Sequence, residues 1–283
     1  MRAVGIILAG GNNNRMKELT HKRAVAAMPI AGSYRSIDFA LSNMTNSHIQ
    51  KVAVLTQYNA RSLNEHLNSS KWWNFGRKQG GLYVFTPTIT NDNGYWYRGT
   101  ADAIYQNMDF LKKSHEPYVV IASGDAVYKM DYSKVLQYHI DKKADVTVVC
   151  KEMDPSDDVS RFGTIRMDDD MRITEFEEKP MVTKSNMIST GIYVIRRRLL
   201  IDLIEHAAEE ERFDFVNDVL IRYKNLKKIY GYKIDHYWSN IATVDAYYKT
   251  NMDFLKPEVR NYFFKQDPEI YSKVSDLPPA KYN

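Results

Sequence analysis

Four short runs in the first half of the chain are apolar throughout rather than alternating: Val4–Leu8, Val52–Leu55, Tyr118–Ala122 and Val146–Cys150. Strands buried on both faces of a parallel sheet have this pattern. Helical spacing of the intervening apolar positions predicts helices over Ile37–Thr45, Arg61–Leu67, Ala101–Lys112 and Ser133–Lys142. The alternation implies an α/β fold built on a doubly wound, mixed but mostly parallel sheet.

After Lys151 the rhythm shortens. Phe162–Arg166, Ile173–Phe176 and Gly191–Ile195 read as strands joined by polar turns, a strand-rich insertion over the ligand edge of the sheet. Helical spacing returns over Arg197–Glu210, Phe215–Tyr223 and Val244–Leu255. From Pro257 there are few signals until Leu277-Pro278-Pro279-Ala280, which reads as a linker. The expected organisation is one domain over 1–256 and a linker over 257–283.

Composition narrows the class. Lysine and arginine exceed aspartate and glutamate by 39 − 35 = +4 in 283 residues, a surplus too small and dispersed to imply nucleic acid. Small anions remain plausible partners. No apolar stretch approaches the roughly 20 residues of a membrane span, and Met1–Gly5 lacks the features of a signal peptide, so a cytoplasmic protein is expected. The one cysteine, Cys150, follows an apolar run and reads as core filling.

Candidate chemistry begins where the first strand ends. Ile6 to Leu8 runs through Ala9 into Gly10-Gly11, and glycines there let backbone N–H groups approach phosphate oxygens. A Gly-Gly pair is equally the mark of a tight turn; Arg15 tilts the balance towards an anion. The stretch has neither G-K-[ST] nor G-x-G-x-x-G, which removes the main support for kinase, ATPase and dehydrogenase readings. Asp125, in Ser123-Gly124-Asp125, follows the third strand and can supply one carboxylate to magnesium, although such residues are more often caps or turns. Tyr97-Arg98-Gly99-Thr100 precedes a helix and offers backbone donors and a hydroxyl. Glu178-Lys179 puts a carboxylate beside an ammonium, suited to a sugar hydroxyl and a sugar phosphate, or else to a solvated turn.

Together the segments L-A-G-G-x-x-x-R, L-T-x-K-R-A, I-D-F-A-L-S-N, T-Q-Y, Y-R-G-T-A-D-A, S-G-D-x-x-Y-K-M-D-Y, F-x-E-K-P, S-x-G-I-Y and Y-W-x-x-x-x-T-x-D-A-Y resemble the bacterial ADP-glucose pyrophosphorylase family over nearly the whole chain. That family joins ATP and glucose 1-phosphate into ADP-glucose and pyrophosphate for glycogen synthesis. The resemblance implies a Rossmann-like nucleotide-diphospho-sugar transferase fold, with Arg15 on the ATP phosphates and Asp125 as the catalytic, metal-binding aspartate. It implies nucleotide contacts at Leu8, Gly10, Gly11, Gly99 and Thr100, and glucose 1-phosphate contacts at Tyr97, Gly163, Glu178, Lys179 and Ser189. Gln57 and Trp96 match positions that couple regulatory and substrate sites, and Lys22 a position linked to sugar-phosphate effectors.

The pattern also breaks. Active members read K-R-A-K-P-A where this chain has Lys22-Arg23-Ala24-Val25-Ala26-Ala27, so a lysine has become Val25. They read D-V-G-T where this chain has Asn240-Ile241-Ala242-Thr243, so Asn240 replaces the second metal-binding aspartate and a weakened magnesium site is expected. G-D-H-I-Y is here Gly124-Asp125-Ala126-Val127-Tyr128, and two small residues of the glycine loop are Asn13 and Asn14. Changes gathered on one reaction centre, with the Glu178-Lys179 pair intact, resemble the family's non-catalytic GlgD-type regulatory subunit, which assembles with a catalytic subunit. ATP or ADP-glucose, glucose 1-phosphate and a hetero- or homo-oligomer are then the expected partners. A self-sufficient enzyme is the first alternative. A nucleotide-sugar-dependent glycosyltransferase using Asp168-Asp169-Asp170 is the second, although that run reads as a hairpin turn.

Overall fold

The apolar runs become strands almost residue for residue. In the computed structural model, residues 2–11, 14–76, 80–89 and 94–274 are described. Along the chain come β1 (Ala3–Leu8), β2 (Pro29–Ile30), β3 (Tyr34–Arg35), α1 (Ser36–Asn46), β4 (Lys51–Leu55), α2 (Arg61–His66) and β5 (Gly81–Phe85). Next are α3 (Thr100–Gln106), α4 (Met108–Lys112), β6 (Tyr118–Ser123), β7 (Ala126–Tyr128), α5 (Tyr132–Asp141) and β8 (Val146–Glu152). The rest holds β9 (Gly163–Met167), β10 (Ile173–Glu178), β11 (Met187–Arg196), α6 (Arg197–Glu209), a π-helix (Phe215–Ile221), β12 (Ile229–Ile234), β13 (Trp238–Asn240), α7 (Val244–Asp253) and α8 (Pro257–Phe264). The fold is α/β with mixed strand pairing, as the pattern predicts.

Two units share these elements. The glycine-loop unit comprises Gly5–Thr86, Ser123–Tyr132 and His236–Asn283; the hairpin unit comprises Met1–Val4, Pro87–Ala122 and Ser133–Asp235.

In the glycine-loop unit β4 runs parallel to β1, from Gly5 opposite Val52 to Leu8 opposite Leu55, and parallel to β5. Small antiparallel pairs form between β2 and β3 and between β7 and β13. Met16, Val25, Met28, Ile30, Phe39, Val127, Ile241, Phe254, Phe263 and Ile270 belong to one buried apolar cluster. Residues from 257 onward, expected as linker, instead begin with α8, whose Phe263 is fully buried in this cluster. The boundary expected at 256/257 therefore falls inside the unit. The Leu277–Ala280 motif lies outside the described residues, as does Asn13.

In the hairpin unit β11 runs antiparallel between β6 and β8, and β12 lies parallel to β8. The expected short strands are present, with β9 and β10 forming a hairpin whose register sets Gly163 opposite Glu178. The turn of that hairpin is held by Asp168, whose Oδ1 accepts the N–H groups of Asp170 and Arg172 at 3.0 and 2.9 Å. Capping of its own turn accounts for the acidic run, in line with the hairpin reading. The single helix expected over 101–112 is two, α3 and α4, broken at Asn107. The amide of Asn107 donates to Ala103 O at 2.8 Å and to the Tyr97 hydroxyl at 2.9 Å.

His139 on α5 is 1% exposed; its Nδ1 pairs with the Thr147 hydroxyl at 2.8 Å, and its Nε2 is buried with no partner among the described residues. Burial, seconded by the charge of Arg196, lowers its pKa from 6.5 to about 4. Between those values the unfolded chain binds more protons than the folded one, so stability rises with pH across that window. The contribution is full above pH 6.5 and is lost as the pH falls towards 4. Urea midpoints at pH 7.5 and 4.5 should show the wild type losing roughly 2 to 3 kcal/mol more than His139→Gln.

Candidate active site

The glycine-loop unit gathers the residues expected to hold nucleotide phosphates and metal. The loop leaves β1 with Ala9 N–H donating to Leu55 O at 2.8 Å, and Gly124 N–H donates to Leu8 O at 2.9 Å. A Cβ placed on Gly124 would lie 3.3 Å from both the Ala9 and the Ala26 Cβ atoms. Gly124 thus marks where the glycine loop, the 3-10 turn at Val25–Ala27 and the Asp125 turn meet. Gln57 borders Gly10, with its Cγ 3.6 Å from where a Gly10 Cβ would sit. The same test at Gly11 finds nothing within 4 Å among the described residues. Among the described residues, packing leaves room for a side chain at both positions.

Arg15 and Lys22 are exposed on either side of the buried Met16, which anchors the 3-10 segment Asn14–Thr20 in the core. Asp125 Oδ1 accepts from the Ser123 hydroxyl at 2.5 Å, and the Ser36 hydroxyl donates to Gly124 O at 2.9 Å. Sequence reasoning missed both serines; the S-G-D and R-S-I-D strings carry them without marking their role.

The two positions at which the resemblance implies a change, Val25 and Asn240, are packed into the fold. Val25 is 8% exposed and belongs to the apolar cluster with Met16 and Met28. Asn240 sits in β13 opposite Ala126; its Oδ1 accepts from Ala242 N–H at 3.1 Å and its Nδ2 reaches Asp125 O at 3.4 Å. Among the described residues no group of three or more histidine, cysteine, aspartate or glutamate side chains is arranged so as to hold a metal ion. The residues fit a magnesium ion that draws one carboxylate from Asp125 and takes its other ligands from phosphate and water, with the Asn240 amide as a neutral neighbour.

The hairpin unit holds the residues expected to meet the sugar phosphate. Lys179 Nζ lies 3.0 Å from Glu178 Oε1. Burial raises the Glu178 pKa, against the hydrogen bond and charge of Lys179, and Asp214 adds to the rise. Lys179 has φ +48°, a left-handed backbone that costs a non-glycine residue, and its N–H is fixed on Phe162 O at 3.1 Å. Opposite, a Cβ on Gly163 would meet the Phe176 ring at 2.6 Å and Glu178 Oε2 at 2.8 Å, so only glycine leaves that carboxylate where it is.

A bulge in β11 between Ser189 and Tyr193, with Gly191 at φ +75°, brings the Ser189 and Tyr193 hydroxyls to 3.2 Å. Tyr193, which sequence reasoning passed over, is signalled by the G-I-Y spacing behind that serine. Tyr97 is buried, which raises its pKa, and its hydroxyl accepts from Asn107. Trp96 is exposed in this unit, whereas Lys22 and Gln57 belong to the other. Gly99 and Thr100, expected at the nucleotide, also fall here. The Thr100 hydroxyl accepts from Phe215 N–H at 2.9 Å, and Ala101 N–H donates to Phe213 O at 2.8 Å. Arg98 is paired with Asp102 at 3.1 Å and lies 3.8 Å over the Phe213 ring.

Residues 4–257 match the family model of nucleotidyl transferases. The glucose-1-phosphate adenylyltransferase of Thermosipho melanesiensis is 39% identical over 279 residues, covering 98% of this chain and 68% of that protein. The enzyme of the same name from Clostridium novyi is 40% identical over 98% of this chain and 73% of its own length, and that from Bacillus anthracis 41% over 98% and 74%. The chain therefore belongs to the nucleotidyl transferase family, in its glucose-1-phosphate adenylyltransferase branch. Among the described residues no helix is long and apolar enough to cross a membrane.

Proposed function

We propose that the chain is a cytoplasmic subunit for ADP-glucose synthesis in glycogen formation, of the GlgD-like regulatory kind. It holds glucose 1-phosphate and a nucleotide, ATP or ADP-glucose, has weak or no turnover alone, and works in an oligomer with a catalytic subunit. The observation that carries this reading is Val25, an apolar side chain packed into the core beside the Asp125 turn where active relatives of the resembled pattern place an ammonium.

In the reaction of that pattern a phosphate oxygen of glucose 1-phosphate attacks the α-phosphorus of ATP in line, and pyrophosphate departs. Such a transfer asks for positioning and positive charge rather than covalent help. Arg15 supplies charge to the nucleotide phosphates. Lys179 pairs with the sugar phosphate, and Glu178 accepts from sugar hydroxyls. Asp125, with the Asn240 amide beside it, would hold magnesium, which when bound neutralises charge on the departing pyrophosphate. Val25 offers the transferring phosphoryl group nothing, and Asn240 leaves the metal with one carboxylate fewer.

Binding and turnover separate in calorimetry. Glucose 1-phosphate titrated into the wild type should bind, and Lys179→Met should weaken it by tenfold or more, the loss of one charge-assisted contact. Equal affinity in the two proteins would remove the sugar-phosphate assignment.

A further inference from the structure

Helix α1, the I-D-F-A-L-S-N motif, is buried almost end to end although Ser36, Asp38, Ser42, Asn43 and Thr45 are polar. Buried polar side chains persist where each has a partner, and an apolar helix would fill the same space more cheaply. Thr45 donates to Trp73 O at 2.5 Å, and the partners of the others include two segments distant in sequence. Towards 124–132, the Ser36 hydroxyl donates to Gly124 O at 2.9 Å. Asn43 spans Tyr128 O at 3.2 Å and Met130 N–H at 3.0 Å, and Ser47, just past the helix, accepts from Tyr132 N–H at 2.8 Å.

Towards 266–273, the Ser272 hydroxyl donates to Asp38 Oδ2 at 2.6 Å, Ser42 Oγ accepts from Tyr271 N–H at 2.8 Å, and Asn46 donates to Glu269 O at 2.8 Å. Asp38 is fully buried and takes two further donors, Arg35 N–H and His66 Nε2, each at 2.7 Å. Lys129 ties the two segments directly, its ammonium donating to Tyr262 O at 2.8 Å and Gln266 O at 2.5 Å.

We infer that α1 is a two-sided polar clamp through which the seating of segment 266–273 sets the position of the Asp125 turn, with Ser272, Asp38 and Ser36 as positioning residues. A buried carboxylate that loses one of three donors is left undercompensated. The Ser272 hydroxyl and Arg35 N–H share Asp38 Oδ2, and Arg35 adjoins Ser36, so a shift of that oxygen bears on the bond from Ser36 to Gly124 O. The functional meaning rests on the assignment of Asp125 to metal and phosphate; the test reads backbone protection and does not.

Amide hydrogen exchange of the full chain, followed by mass spectrometry, compares the wild type with Ser272→Ala, Ser272→Thr and Lys273→Ala. Lys273 is the control, because its Nζ is held by Glu65 O on α2 at 3.1 Å and not by α1. Exchange over 123–130 should rise about tenfold in Ser272→Ala, the usual cost of a hydrogen bond to a buried charge. It should stay near wild type in Ser272→Thr and Lys273→Ala, with β8 and β12 unchanged throughout. Wild-type protection of 123–130 in Ser272→Ala overturns the inference, as does an equal rise in β8 and β12. A rise in Ser272→Thr or Lys273→Ala matching that of Ser272→Ala overturns it too.

Discussion

The Val25→Lys, Asn240→Asp double variant should make ADP-glucose and pyrophosphate at about 10² to 10³ times the wild-type rate, the usual worth of a restored transition-state donor. The structure accommodates both changes. The Val25 turn adjoins Gly124, so a lysine stem can leave the apolar cluster and present its ammonium at the Asp125 turn, at some cost in core packing. Asn240 and aspartate are nearly isosteric. The bond from Ala242 N–H is kept, and the long 3.4 Å contact to Asp125 O is given up. Pyrophosphate release measured on the double variant and on each single variant checks this. Activity gained by neither single change nor their combination would place the defect elsewhere.

Gly99→Ala should cost about 3 kcal/mol or more, because its new Cβ would lie 2.3 Å from Phe213 O and 2.7 Å from Phe213 C, backbone atoms that cannot rotate away. The backbone at Gly99 is extended, so the penalty is steric and not conformational. Relief requires separating α3 from the segment that starts the π-helix, which breaks the bonds to Phe213 O and Thr100 Oγ1. A melting temperature lower by roughly 5 to 10 °C is expected. An unchanged one would show that this junction yields easily.

Gly99 also bears on what the sequence could announce. The R-G-T-A-D string marks a candidate nucleotide contact through a family resemblance, but the local bonds that shape it, Arg98 to Asp102 and Thr100 to Phe215 N–H, became visible only in the fold. The elements legible in the sequence were those whose burial is complete, such as β1, β4, β6 and β8, and helices with a clear apolar stripe such as α6. β12 escaped because Gly231 interrupts it, and that gap is filled by the Met167 sulfur, 2.0 Å from where a Cβ would lie. β5 is apolar but only half-buried, and α8 gains its partners Phe39 and Phe254 only through tertiary packing. No local period announces such partners.

For the candidate site, residue types were readable and their surroundings were not. A valine at position 25, where the resembled pattern has lysine, was visible in the sequence; its place in the apolar cluster was not. An asparagine at 240, where the resembled pattern has aspartate, was equally visible, but its bond to Ala242 N–H was not. The serines that hold Gly124 and Asp125 carry no sequence signal, since serine in a turn is common.

Pyrophosphate release from ATP and glucose 1-phosphate, followed with the purified chain alone and then with a catalytic adenylyltransferase subunit added, is the decisive measurement. The proposed function predicts negligible release alone, and a rate or substrate response of the mixture that differs from that of the catalytic subunit by itself. Robust release by the chain alone would contradict it.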